Sequence, residues 1–134
     1  VYKSQLFESL AIRDLRIYAQ PLGGTVYHYR DDSGLEVDAI VELGDGRWSA
    51  FEVKLGGTAN IEKAASSLRA LKAKVSEQRE RQLSTLNVVT AGAESYTRPD
   101  RVNVIALGHL FAGQESSASA TSDRQSPSTP GTAG

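Results

Sequence analysis

Residues 35–55 read LEVDAIVELGDGRWSAFEVKL, two runs of strand character joined through Gly44-Asp45-Gly46. A three-residue loop ending in glycine is a common hairpin connection, because the glycine takes the left-handed conformation that closes the turn. With those residues as the loop, Leu43 pairs with Arg47, and counting outward sets Asp38 opposite Glu52 and Glu36 opposite Lys54. Side chains in a strand alternate faces. Glu36, Asp38, Ile40 and Glu42 therefore share one face of the first run, and Trp48, Ala50, Glu52 and Lys54 share a face of the second. A one-residue change in loop length turns Asp38 and Glu52 to different faces, so the turn constrains fold and chemistry together.

The segment before the hairpin extends the pattern. Residues 25–31 (TVYHYRD) are rich in aromatic and β-branched types, as strands are, and Asp32-Ser33-Gly34 is again a three-residue link with glycine last. Counting outward from Asp31 and Leu35 places His28 opposite Asp38 and Arg30 opposite Glu36. A three-stranded meander then carries two polar rows, His28–Asp38–Glu52 and Arg30–Glu36–Lys54. One explanation is a solvated face with cross-strand ion pairs, each worth about 0.2–1 kcal/mol. The other is a site.

Residues 3–20 have the pattern of a helix that ends before Pro21 and the Gly23-Gly24 break. Glu8 falls on a stripe with Ile12, Leu15 and Ala19, which puts it on or beside the buried face. A carboxylate there either reaches out to water or needs a partner or a metal. If the helix packs over the sheet, Glu8 points toward Asp38 and Glu52, and such a cluster repels itself without a cation.

That residue set suits one chemistry. Magnesium prefers hard oxygen ligands and keeps several waters, so two or three carboxylates suffice. Bound metal polarises a phosphoryl oxygen and makes a nucleophile of water at neutral pH. In this arrangement Asp38 and Glu52 are the expected ligands of Mg2+ or Mn2+, and Glu8 is an accessory ligand. Lys54 offsets charge growing on phosphorus. Arg30, with Glu36 opposite it, is placed to hold a neighbouring substrate phosphate.

Glu8, Asp38 and Glu52-Val53-Lys54 resemble the PD-(D/E)xK, or restriction-endonuclease-like, superfamily. No proline precedes Asp38, where the superfamily's name has one. More narrowly, Phe7-Glu8, Tyr29-Arg30-Asp31, Glu36-Val37-Asp38 and Glu52-Val53-Lys54, followed by a leucine-bearing helix, resemble a domain of unknown function. That domain is typically found C-terminal to an AAA+ ATPase module in bacterial and archaeal proteins. The resemblance implies an α/β fold with a central mixed sheet flanked by helices: an antiparallel three-strand meander, then a helix and further strands. It implies a metal-dependent nuclease-like domain acting on DNA or RNA phosphodiesters. The alternative is a catalytically silent interaction or regulatory domain that keeps the nuclease fold. The partner it implies is the protein's own N-terminal ATPase module.

Composition sets outer limits. The chain has 134 residues, enough for one domain with a core of its own, expected over residues 1–112. With no cysteine, disulfides, thiolate catalysis and zinc ribbons are excluded. No methionine occurs, even at position 1, which is the mark expected of a piece of a longer protein. No apolar run approaches the roughly 20 residues of a membrane span and no signal peptide is visible, so a cytoplasmic location is expected.

A net charge of −1 gives no general attraction to nucleic acid. Residues 63–81 do gather six basic side chains (Lys63, Arg69, Lys72, Lys74, Arg79, Arg81) on a helix for which Asn60 is a candidate N-cap. Those charges are either a solvated face or a phosphate-contacting one. The core-facing stripe of that helix is Ile61, Ala65, Leu68, Leu71 and Val75. Residues 86–90 and 102–107 are apolar runs suited to buried strands, the first parallel to residues 48–54 after a helical crossover. Residues 92–100 form a loop. Residues 113–134, rich in Ser, Thr, Pro and Gly, are expected to be a disordered tail.

Overall fold

In a computed structural model, which describes residues 2–110, both glycine-closed loops form as counted. The Leu43 amide donates to the Arg47 carbonyl at 2.8 Å, and the Asp31 amide donates to the Leu35 carbonyl at 3.1 Å. Gly34 and Gly46 take φ values of 90° and 94°, where a Cβ would be strained. The loops join β1 (Thr25–Arg30), β2 (Glu36–Glu42) and β3 (Trp48–Lys54) into an antiparallel meander.

The β2–β3 partners run from Glu42–Trp48 to Ala39–Phe51, the expected register. There the ladder stops. Glu36 and Lys54 consequently do not face each other as the count implied. Glu36 pairs across to Arg30 of β1 at 3.3 Å, with His28 at 3.9 Å.

From β3 the chain crosses through α2 (Thr58–Lys74) and α3 (Glu77–Gln82) to β4 (Leu83–Thr90), parallel to β3 as expected. The parallel strand β6 (Asn103–Ala106) lies beside β4, and β5 (Tyr96–Thr97) pairs antiparallel with β6. The six-stranded order is β1-β2-β3-β4-β6-β5. Strand β5 lies in the segment expected to be a loop; two residues are too short to carry a period.

Helices cover both faces of this mixed sheet. Helix α1 (Tyr2–Ala19), continued by a 3-10 turn over Gln20–Leu22, buries Phe7, Ala11, Leu15 and Ala19. They pack with Ala39, Val41, Phe51, Val53 and Val89. Helix α2 seals the other face, where Leu68 and Leu71 meet Val37, Trp48, Ala50 and Val88. Burial of each such leucine contributes about 1.5–3 kcal/mol. The helix starts earlier than Asn60: Gly57 is the N-cap and Asn60 sits in the first turn, its side-chain amide donating to the Gly56 carbonyl at 3.1 Å. The basic segment is also two helices. The break falls at Val75–Ser76, where the Ser76 hydroxyl caps α3 by accepting from the Arg79 amide at 3.2 Å.

Among the described residues no helix is long and apolar enough to cross a membrane. The expected domain limit at residue 112 and the tail over residues 113–134 lie outside the described residues.

Candidate functional site

An irregularity in the meander shapes the site. Tyr29 pairs with Val37 but Tyr27 pairs with Ile40, so His28 alone stands against both Asp38 and Ala39. One extra residue on one strand is a β-bulge, and it breaks the alternation of side chains. Packing records the break: Val37 belongs to the α2 layer and Ala39 to the α1 layer, although residues two apart in a regular strand share a face. Asp38 sits at this change of face. The strict count that grouped it with Ile40 does not hold there.

Where the β2–β3 ladder ends, side chains take over. The Asp38 amide donates to Glu52 Oε1 at 2.9 Å, and the Val53 amide donates to Asp38 Oδ2 at 2.8 Å. The two carboxylates bridge a seam that backbone carbonyls would otherwise close. Asp38 Oδ1 and Glu52 Oε2 have no hydrogen-bond partner among the described residues. No buried side-chain oxygen is left unsatisfied there either. Glu52 Oε2 therefore reaches solvent, although the residue is only 6% exposed.

The charges around the seam act on one another. Burial, then the neighbouring Asp38 carboxylate, push Glu52 up to about 7, against the opposing pull of the Asp38 amide and Lys54. Burial and then Asp38 also raise Glu8, while Lys54 and His28 lower it. Glu8, Asp38, Glu52 and Lys54 thus act on one another electrostatically, and His28 acts on Glu8. The register count put His28 in the same row, but its importance comes from standing at the bulge. Glu8 itself is exposed on the flank of α1, because the buried stripe runs through Phe7, one position away.

Neither cation closes the seam. Arg30 is engaged with Glu36, and Lys54 has no ion pair among the described residues. Arg30 and Glu36 form a separate pair at the exposed end of β1 and β2. Several basic residues of the α2–α3 segment have acidic partners, with Lys74–Asp31 at 3.0 Å and Arg79–Glu42 at 2.6 Å. Trp48 is core, its indole N–H donating to the Arg79 carbonyl at 2.7 Å. Beyond β6, His109 shares a hydrogen bond with Ser95 Oγ.

The donor set bears on whether a metal fits. Among the described residues no group of three or more His, Asp or Glu side chains is arranged to hold an ion, so Glu8, Asp38 and Glu52 do not form a ready-made cage. The two free oxygens of Asp38 and Glu52 are nonetheless hard donors of the kind magnesium takes, and magnesium needs only one or two carboxylates beside its waters.

The family model described as "Domain of unknown function (DUF4143)" matches residues 3–110. The chain belongs to this family. No curated protein and no solved structure matches it. The DUF4143 match takes in all six strands and both carboxylates of the seam, so the bulge and its surroundings lie within the shared domain. It agrees with the resemblance to a domain of unknown function carried by Glu36-Val37-Asp38 and Glu52-Val53-Lys54.

Proposed function

We propose that this DUF4143 domain is a nuclease-like domain of the PD-(D/E)xK type, hydrolysing nucleic-acid phosphodiesters with a divalent cation. In this reading it works in the cytoplasm, appended to an AAA+ ATPase module. One observation carries it: the seam between β2 and β3 is held open by Asp38 and Glu52, each with an oxygen to spare, and Lys54 stands beside them unpaired among the described residues.

Mg2+ or Mn2+, when bound, supplies an activated water and a polarised phosphoryl oxygen. Asp38 and Glu52 would hold it, with Glu8 supporting from α1. Glu52 must be ionised to do so, which makes binding favourable above about pH 7 and weaker below. Lys54 stabilises charge developing on the phosphate. Arg30 exchanges Glu36 for an adjacent phosphate oxygen, a swap favoured by its planar fork and its exposure.

A second reading, a catalytically silent regulatory domain of the ATPase, has one observation in its favour. Both seam carboxylates already serve the fold by bonding the opposite strand's amides. Calorimetric titration with Mn2+ at pH 8, beside cleavage assays on labelled single- and double-stranded DNA and RNA, separates the two. The nuclease reading expects Mn2+ binding that Asp38→Asn abolishes, and cleavage that Lys54→Ala abolishes while metal still binds. Metal binding without cleavage by the complete protein favours the silent domain. No metal binding at all removes the catalytic reading.

A further inference from the structure

Three hairpin loops of this fold share one construction. In residues 31–35, 43–47 and 98–102 the first amide donates to the fifth carbonyl, at 3.1, 2.8 and 2.9 Å respectively. In each, the fourth amide returns to the first carbonyl, at 3.1, 3.0 and 2.9 Å. The fourth residue is left-handed every time. Two loops use glycine there, Gly34 and Gly46, but the third uses Arg101 at φ 71°. A left-handed arginine crowds its Cβ against the backbone, a strain that glycine does not have. The turn alone gives no reason for it, and strained residues of this kind gather where a side chain has work to do.

The guanidinium's surroundings supply that reason. Arg98 is bound to Glu62 at 2.6 Å and to Asp100 at 3.2 Å, and Arg69 reaches Asp100 at 3.4 Å, so these charges answer one another. No carboxylate among the described residues lies within 4.0 Å of the Arg101 guanidinium. Arg101 lines a cavity of about 400 Å³ together with Arg69, Lys72, Ser84 and Thr85. Glu80 and Asp100 share that wall, with Glu80 4.0 Å from Lys72 and Asp100 held by its arginines. What is left over is the Arg101 charge, on a groove of mixed lining that also includes Leu83 and Leu86 and is wider than one phosphate.

We propose that this groove is a phosphate-binding subsite for a polynucleotide, with Arg101 as its anchoring guanidinium and Lys72 and Ser84 as supporting donors. The choice of a polynucleotide rests on the nuclease-like reading and on the unanswered guanidinium charge of Arg101. The groove lies at the start of β4, and Lys54 and Glu52 pair with its far end at Thr90 and Val88. Five residues of strand span roughly 17 Å, and those from Leu86 to Thr90 are buried under the helices, so the groove is a site apart from the seam.

The test is fluorescence anisotropy of a labelled single-stranded DNA of about 16 nucleotides in EDTA, over a salt series, with the full chain and the variants Arg101→Gly and Arg101→Lys. Arg101→Gly is expected to bind about tenfold more weakly, the effect of one charge-assisted contact. Its salt slope should fall by about one. The same variant should melt no lower, and up to about 4 °C higher, because the strain is gone. Arg101→Lys should keep most of the affinity. Equal binding by Arg101→Gly and the wild type overturns the proposal, as does absence of wild-type binding at low salt. A lower melting temperature for Arg101→Gly does so too, since it makes the arginine structural. EDTA removes metal from the assay, so a failure of this groove to bind DNA is distinguishable from a failure of the seam to bind Mn2+.

Discussion

The amide of Asp38 donates to Glu52 Oε1 at 2.9 Å, so one member of the carboxylate pair is gripped by the backbone of the other. That grip favours ionised Glu52, yet burial and the Asp38 charge outweigh it and leave the group near 7, against an ordinary value of 4.5. The folded chain thus binds this proton more tightly than the unfolded one. The stability it contributes is fully present below about pH 4.5 and is lost as pH rises to about 7.

Glu52→Gln should therefore stabilise the fold at pH 8 by about 2 kcal/mol and change it much less at pH 4.5. The amide oxygen can keep the bond from Asp38. Urea denaturation at the two pH values measures this, and an equal effect at both contradicts it. The same substitution should abolish Mn2+ binding, so stability and metal affinity move in opposite directions.

At Asp38 the expected effects divide by chemistry. Asp38→Ala strands the Val53 amide, which now donates at 2.8 Å, and should lower stability by about 1–2 kcal/mol. Asp38→Asn retains an acceptor and should lower it by less. Either change removes a negative charge next to Glu52, so the Glu52 titration midpoint, followed by NMR, should fall from about 7. A midpoint that stays put would show that burial alone sets it.

The two loop glycines are not equivalent. Alanine at Gly34 meets nothing within 4 Å and suffers only the left-handed backbone, about 1 kcal/mol. Alanine at Gly46 also places its Cβ 2.5 Å from Gln82 Nε2, and Gln82 is tied to Arg79 Nη1 at 3.0 Å. Gly46→Ala should cost about 1 kcal/mol more than Gly34→Ala. Adding Gln82→Ala should recover part of the difference, which a double-mutant cycle by thermal denaturation would read.

Trp48→Phe removes the indole donor to the Arg79 carbonyl and weakens the ring under the guanidinium, 5.5 Å from the ring centre. A loss of about 1–2 kcal/mol is expected. Arg79 also holds Glu42 at 2.6 Å and the Gly46 carbonyl at 3.2 Å, so α3 should loosen first. Amide hydrogen exchange should quicken over Glu77–Gln82 before it does in β3.

The loops were legible in the sequence because glycine closes a turn of fixed length, and Leu43–Arg47 then dictates Ala39–Phe51 by counting. The bulge was not. His28, Asp38 and Ala39 are ordinary strand residues, and the extra position shows only once the two hydrophobic layers are assigned. That one slip is why Arg30 faces Glu36 as counted whereas Tyr27 faces Ile40. The stripe of α1 was misplaced by one residue because Phe7 and Glu8 sit side by side and Leu15 and Ala19 fit either phase. Asn60 has the chemistry of a good cap, but Gly56-Gly57 starts the helix earlier.

The extra residue in β2 has a further meaning. Were Asp38, the one residue between Val37 and Ala39, deleted, the strand could run on in step with both neighbours, and Val53 could find a carbonyl instead of a carboxylate. The sheet would be smoother, and Glu52 would lose both its partner and the gap it occupies. In this fold the notch is a place where regularity has been given up, and a protein shaped only to fold would have had every reason to close it.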